Sequence, residues 1–211
     1  MNRGYHEIKE HGKREFPFNI YPCSIPVDFS HVALHWHEEM EIIAVKKGKG
    51  RITVDTVSYP VEEGDILAVF PGQLHAISCG NGERMEYENI IFRLSMLMGD
   101  NGDGCTVHFL KPLQEGQAKN PVLIQRNQPD HEVFGKVIQE LDRFSEIRGN
   151  GYQLAVKGQL FLFLYYAYGR GILFTEKKPG HAREKIKGIL HPGTFWGRDY
   201  DQAGGRAVLL Q

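Results

Sequence analysis

Three histidines and a glutamate form a pattern with the residue types and spacing of a binding or catalytic centre. Within the run HWHEEME, His35, His37 and Glu41 are separated by even numbers of residues. Side chains two apart on a β-strand point the same way, so one regular strand would put all three on one face. The turn in the downstream run FPGQLH can bring His75 back towards them. We take these four residues as the candidate site.

This residue set is compatible with three kinds of chemistry. Neutral imidazoles with one carboxylate suit zinc, iron, manganese or nickel, and an open coordination position would permit catalysis. The same groups without a metal would form a polar pocket that hydrogen-bonds the hydroxyl groups of an effector. The histidines would otherwise line a barrel rim, satisfied by their neighbours. Glu39 shares the nominal face of Glu41, so we expect it either to face the ligand or to be solvated. Trp36 and Met40 fall on the opposite face and are expected in the core.

Most of the chain up to residue 94 has the pattern of short β-strands. Glycine, proline and acidic turn signals separate the apolar or alternating runs, including a predicted glycine turn over residues 46–50. Short strands at regular spacing are typical of a sandwich or barrel. The predicted strands cover residues 16–21, 40–45, 51–55, 58–61, 66–70, 75–79 and 86–94.

The period changes beyond residue 125. Apolar residues from Phe134 to Phe144 recur every three or four positions, which predicts an amphipathic helix with Asp130 as its N-cap. Gly149-Asn150-Gly151 ends this helix, and a second helix follows over residues 152–168. The second helix is apolar on nearly all faces, so either its own chain or a partner must bury it. Residues 109–113 and 121–124 are predicted to be short extended segments.

Composition excludes several classes of protein. The 211 residues are 41% hydrophobic and 24% charged, which suits one ordinary folded domain. Lys and Arg number 25 against 26 Asp and Glu, so the basic surface of a nucleic-acid binder is missing. Three cysteines without a CxxC pair argue against a disulfide framework and against a zinc ribbon. With neither a signal peptide nor an apolar run of about 18 residues, we expect a cytoplasmic protein without membrane contact.

Two motifs carry a family resemblance. H-x-H-x3-E-x6-G from residue 35 and G-x5-F-x-G-x2-H from residue 64 resemble the two motifs of the cupin superfamily. The usual second-motif proline stands one position later, at Pro71, and Phe29 replaces the glycine that usually precedes the first histidine. Residues 15–190 resemble the N-terminal sensing domain of AraC-type transcription regulators. The matching stretches are HWHEEMEIIAVKKGKGRITVD, YPVEEGDILAVFPGQLHAI and GYQLAVKGQLFLFLYYAYGRG.

The resemblance implies a mainly β fold, a cupin-type double-stranded β-helix (jelly-roll) barrel followed by an antiparallel helical hairpin. It implies a flexible arm over residues 1–15, an effector-binding barrel over 16–125 and a hairpin over 126–172 that pairs two subunits. The effector would be a small, sugar-like molecule bound at His35, His37, Glu41 and His75, with no catalytic residue and no cofactor expected. DNA would be bound only through helix-turn-helix modules that follow the sensor and are absent from this chain.

Two alternatives keep the same fold. One is a metal-dependent cupin enzyme of the sugar isomerase or dioxygenase type, with a divalent transition metal on the same four residues. The other is a stand-alone sugar-binding cupin.

The last segment, residues 173–211, is predicted to be a linker and an aberrant tail. One permitted codon choice for residues 191–211, translated one base later, gives IQEHFGEEITIRQAAGLCYY. This peptide resembles the opening helices of the AraC-type DNA-binding domain and would continue the run EKIKGIL. Our hypothesis is that the reading frame shifts near His191.

Overall fold

A computed structural model describes residues 5–172 and 174, so the predicted linker and tail lie, Phe174 apart, outside the described residues. The strands are β1 (Phe18–Ile25), β2 (Val32–His35), β3 (Met40–Val54), β4 (Val57–Glu62), β5 (Ile66–Val69), β6 (His75–Ser78), β7 (Met85–Phe92) and β8 (Val122–Ile124). The α-helices are α1 (Lys111–Gln114), α2 (His131–Ile147) and α3 (Tyr152–Gly169). Leu94–Met96 forms a 3-10 turn and Thr106–Leu110 a π-helical turn. The proposed domain boundaries stay predictions.

The long strand β3 organises the barrel. Its first half pairs with β5 and β7, and its second half pairs with β4 and β6, always antiparallel. The predicted glycine turn over residues 46–50 is therefore wrong, because the strand continues through it. Gly48 has a φ of +77°, and a Cβ there would overlap the carbonyl oxygen of Arg84. The glycine lets the strand bend from one sheet into the other instead of reversing.

A β-bulge at Val45 and Lys47 switches which residues of β3 face the barrel interior. Ile43 and Val45 pack inside before the bulge, whereas the even-numbered Ile52 and Val54 pack inside after it. An extra residue in one strand produces this change of parity. Both halves of one strand can therefore line the same interior.

The two sheets enclose an apolar interior between them, and the first sheet packs on the helices with its other face. The first sheet has the order β1-β7-β3-β5-β8, and the second is built from β2, β6, β4 and the end of β3. Alternate residues of β3, such as Ile42, leave the interior and join a second apolar cluster with Phe134 of α2 and Phe163 of α3. The predicted class, a cupin-type barrel followed by a helical hairpin, is confirmed.

The helices agree with their predicted positions, with two corrections. Asp130 stands at the N-cap of α2, but its side chain makes no capping hydrogen bond; Arg170 holds its carboxylate instead, at 2.8 and 2.7 Å. The extended segment predicted over residues 109–113 is wrong, because this stretch is helical. Pro112 occupies the first turn of α1, where the missing N–H costs no hydrogen bond. Over the described part of the chain, we find no helix with the length and apolar character needed to cross a membrane.

Candidate functional site

The four predicted residues meet at one end of the barrel. His35 ends β2 and lies directly opposite His75, which begins β6. Glu41 comes from β3 in the other sheet, and His37 comes from the loop between β2 and β3. One ligand atom from each residue lies within 4.8 Å of every other. The expected single strand through residues 35–41 is wrong, since the chain turns at residues 37–39, yet this turn is what aims His37 inward.

The three imidazoles share one orientation. In each ring, Nδ1 lies within hydrogen-bonding distance of a backbone carbonyl two residues away, which places a proton on Nδ1. The pairs are His35 with Ala33 at 2.9 Å, His37 with Glu39 at 3.1 Å and His75 with Gln73 at 3.0 Å. Such backbone acceptors fix the tautomer and leave Nε2 as the functional nitrogen. At His37 and His75, Nε2 lies against Glu41.

Glu41 is the centre of the cluster. Its Oε2 lies 2.9 Å from Nε2 of His75 and 3.1 Å from Nε2 of His37, and all three side chains are buried. Burial alone would raise the pKa of Glu41, but the charge of His75 and the hydrogen bonds from both imidazoles hold it well below its usual value. Burial opposes protonation of His37, yet the hydrogen bond to Glu41 and the charges of Glu41 and Glu39 outweigh it and raise the pKa of His37. This shift favours a charged His37, whose Nε2–H donates to the Glu41 carboxylate.

His35 has a different electrostatic role. Burial and the charge of His75 lower its pKa to about 3, so the ring is neutral. Its Nε2 lies 3.4 Å from Oε2 of Glu7, a residue of the arm. Burial raises the pKa of Glu7. The cluster thus holds a second carboxyl group that sequence reasoning missed.

The arm is anchored next to this cluster by Trp36. The Glu7 amide donates to the carbonyl of Trp36 at 3.0 Å, and the Trp36 amide donates to the carbonyl of Tyr5 at 2.8 Å. The ring of His6 stacks on the indole with centroids 4.1 Å apart. Trp36 is half-buried and serves as this platform, so its expected place in the core is wrong; Met40 is fully buried, as expected.

Further polar groups lie in the barrel interior. His11 of the arm is buried, and its Nδ1 lies 3.1 Å from the hydroxyl of Tyr21. Burial and the charge of His37 lower the pKa of His11 to about 4. Within residues 5–172 and 174, Nε2 of His11 and Oδ1 of Asn89 are buried without a hydrogen-bond partner. Side chains of β7 alternate between the two faces of the sheet, and this pattern could have shown that Asn89 faces the interior. Nothing in the sequence pointed to His11 as an interior residue.

Glu39 is neither solvated nor aimed at the ligand side of the cluster. Its carboxylate is buried and accepts a hydrogen bond from Nε of Arg93 at 2.7 Å. Both expectations for this residue are therefore wrong.

The donor set fits a divalent transition metal. Bonds of about 2.1 Å place ligand atoms roughly 3 to 4 Å apart, a spacing that the cluster approaches. The Nδ1 atoms are already engaged, so Nε2 of His35, His37 and His75 and one oxygen of Glu41 are the atoms that would hold the ion. When no metal is bound, Nε2 of His37 and Nε2 of His75 instead form hydrogen bonds with Glu41.

Comparison with known families decides the family of the chain. The AraC-like ligand binding domain matches residues 26–164, well over half of the sequence. The chain belongs to the AraC-like ligand binding domain family. All four residues of the cluster lie within the matched range. The match agrees with the family resemblance that the sequence motifs carry.

Individual relatives of this AraC-like domain are distant. An uncharacterized HTH-type transcriptional regulator, YdeC of Bacillus subtilis (strain 168), is 27% identical over 88 residues. The match covers 41% of this chain and 30% of that regulator, so the chain spans less than a third of the length of its curated relative.

Two solved structures are similar in part. ToxT from Vibrio cholerae O395 is 16% identical, with a TM-score of 0.44 over 79% of this chain and 59% of that chain. A cupin 2 conserved barrel domain protein from Salinispora arenicola CNS-205 is 22% identical, with a TM-score of 0.34 over 38% of this chain and 66% of that chain.

Proposed function

We propose that the chain is the effector-binding and dimerisation domain of an AraC-family transcription regulator. The carrying observation is the buried cluster of His35, His37, Glu41 and His75 inside a barrel of the AraC-like ligand binding domain family. The domain binds its ligand without transforming it. The regulator acts in the cytoplasm, and its DNA contacts come from helix-turn-helix modules outside this chain.

The effector is a small, sugar-like molecule with several hydroxyl groups. Glu41 accepts hydrogen bonds, and the imidazole N–H groups of His37 and His75 donate them. The unpartnered Oδ1 of Asn89 adds a further acceptor, and the unpartnered Nε2 of His11 adds another polar group. An array of donors and acceptors in a buried site recognises hydroxyl groups by direction and distance.

A homodimer forms through α3. One side of α3 packs on the barrel and α2, but the opposite side is apolar and exposed: Leu154 77%, Phe161 40%, Leu162 43% and Tyr165 71%. These residues recur at seven, eight and eleven positions from Leu154, so they share one stripe of the helix. A second copy of the same stripe would bury it, as expected for a symmetric antiparallel helix pair.

Thermal-shift screening of the purified chain against a panel of monosaccharides and polyols, followed by calorimetric titration of each compound that stabilises it, tests this function. A saturable ligand with one site per chain, lost in Glu41→Gln and kept in the exposed control His31→Gln, supports the proposal. Sequence-specific binding of this chain to duplex DNA in a gel shift would contradict it.

The second candidate is a metal-dependent cupin enzyme of the sugar isomerase or dioxygenase type. The observation that favours it is the shared orientation of the imidazoles, which leaves Nε2 atoms and one carboxylate as a complete donor set. A bound metal would supply Lewis-acid chemistry at the cluster. Near-stoichiometric transition metal in the purified protein, lost in His37→Ala, together with turnover, would favour the enzyme.

The third candidate is a stand-alone sugar-binding module. A chain that binds a sugar but neither binds metal nor dimerises would favour it.

A further inference from the structure

Glu39 lies at the edge of His37 that faces away from the candidate ligand. Its backbone carbonyl is 3.1 Å from Nδ1 of His37, and Oε2 of its side chain is 3.7 Å from the same atom. The opposite ring nitrogen, Nε2, meets Glu41. One residue thus contacts the outer nitrogen of His37 through both its backbone and its side chain.

Arg93 holds this carboxylate in place. Its Nε donates to Oε1 of Glu39 at 2.7 Å, and its own amide donates to the carbonyl of Pro17 at 3.0 Å. Glu39 is only 3% exposed, so its charge would be costly without this partner. The pair joins the end of β7 to the loop that carries His37, across 54 residues of sequence.

We propose that Glu39 and Arg93 are positioning residues for His37. The backbone carbonyl and the fixed carboxylate of Glu39 hold the Nδ1 edge of the ring and prevent the ring from rotating, so Nε2 stays aimed at Glu41 and at the ligand. A carboxylate behind a histidine that binds on its other nitrogen is a general device for setting tautomer and orientation. This inference rests on the proposed ligand site, but it also predicts a property of the free protein.

The neighbouring Glu38 provides a matched control. Glu38 is exposed, so Glu38→Gln removes the same charge one residue away from Glu39. Glu39→Gln keeps the size of the buried side chain but allows its amide to donate to Nδ1 of His37. Arg93→Met leaves the carboxylate without its partner and acts in the same direction.

The first measurement is NMR of the free chain with 15N-labelled histidine rings, with the His37 signals assigned from His37→Asn. We expect a slowly exchanging Nδ1–H of His37 in the wild type and in Glu38→Gln, and exchange about tenfold or more faster in Glu39→Gln. Circular dichroism verifies that each variant is folded; if Glu39→Gln fails to fold, Arg93→Met supplies the same comparison.

The second measurement is cobalt(II) affinity by competition with a chelator. We expect affinity to fall about 10- to 100-fold in Glu39→Gln and to stay unchanged in Glu38→Gln. If the wild type binds no cobalt, the metal candidate fails, and the ring signals alone decide the inference. Ring signals of Glu39→Gln that match those of Glu38→Gln would overturn the positioning role.

Discussion

His35 and His75 lie opposite each other on β2 and β6, with ring centroids 4.2 Å apart. One ends its strand and the other begins its strand, so both stand at the end of the barrel where the arm is anchored. Glu41 reaches the same point from the other sheet. The cluster therefore connects the two sheets through buried charges, and changes in it should alter stability as well as binding.

The pairing of Glu41 and His75 can be measured by a double-mutant cycle. We expect His75→Leu to lower the free energy of unfolding by about 3 kcal/mol or more, because Glu41 keeps its buried charge but loses a donor. The double variant Glu41→Leu/His75→Leu should cost clearly less than the sum of the single changes. Urea unfolding at pH 7 measures both. His31→Leu, an exposed control, should change the free energy by less than about 0.5 kcal/mol. Additive effects of the two changes would show that the pair is not coupled.

The bend of β3 can be tested by replacing Gly48. Gly48→Ala should destabilise the fold by about 2 kcal/mol or more, since alanine is strained at positive φ and its Cβ overlaps the backbone of Arg84. Gly102→Ala is the control, because nothing lies within 4 Å of the added Cβ. Thermal unfolding compares the two variants. Equal midpoints would argue that β3 does not pass through Gly48 as described.

The dimer surface can be tested by placing a charge on it. Leu154→Glu and Tyr165→Glu should each raise the dimer dissociation constant about tenfold or more, because each buries a carboxylate in an apolar interface. Monomer stability should stay nearly unchanged, since both side chains are exposed in one chain. Analytical ultracentrifugation measures the association, and Gln153→Glu on the same helix controls for added charge. A wild-type chain that stays monomeric at high concentration would contradict a homodimer through α3.

The arm can be followed by limited proteolysis. Trp36→Ala removes the ring on which His6 stacks, so trypsin should cut at Lys9, Lys13 and Arg14 about tenfold faster than in the wild type. Phe109→Ala removes a half-exposed aromatic ring elsewhere and should leave the rate unchanged. Mass spectrometry identifies the cut positions. Equal rates in the two variants would show that Trp36 does not hold the arm.

The cysteines should differ in reactivity. Burial raises the pKa of Cys23 to about 12, so its thiol stays neutral and unreactive from pH 7 to pH 9, while the exposed Cys105 reacts. A folded pKa above the unfolded value of 9.0 means that Cys23 contributes stability below pH 9, and this contribution is lost as pH rises towards 12. Alkylation followed by peptide mass mapping measures each site, with Cys105→Ser as the control. Labelling of Cys23 in the folded chain at pH 9 would contradict its burial.

Local patterns were enough for α2 and α3 and for the residue types of the site. Val137, Ile138 and Leu141 recur at helical spacing, and this face of α2 is buried as predicted. His35, His37, Glu41 and His75 were recognised from their types and motif spacing, and the structure brings all four together. Both signals depend on residues close in sequence, where periodicity directly reflects backbone geometry.

The positions of some elements could not be read from such patterns. Residues 46–50 have the composition of a hairpin turn, but β3 continues through them because four other strands pair with its two halves. Strand pairing is decided by the whole sheet, so the same glycines can end a strand or bend it.

The amino-acid sequence by itself determined a β-rich sandwich or barrel, a helical hairpin and the four candidate ligands, because each depends on local spacing; the family resemblance implied the barrel. Only the tertiary structure decided that Glu7 reaches His35 from the arm and that Arg93 holds Glu39 behind His37. Those contacts join segments 28 and 54 residues apart, as the residue numbers 7 and 35, and 39 and 93, show. Contacts at such separations have no periodic signature, since they arise only when packing of the sheets closes the barrel.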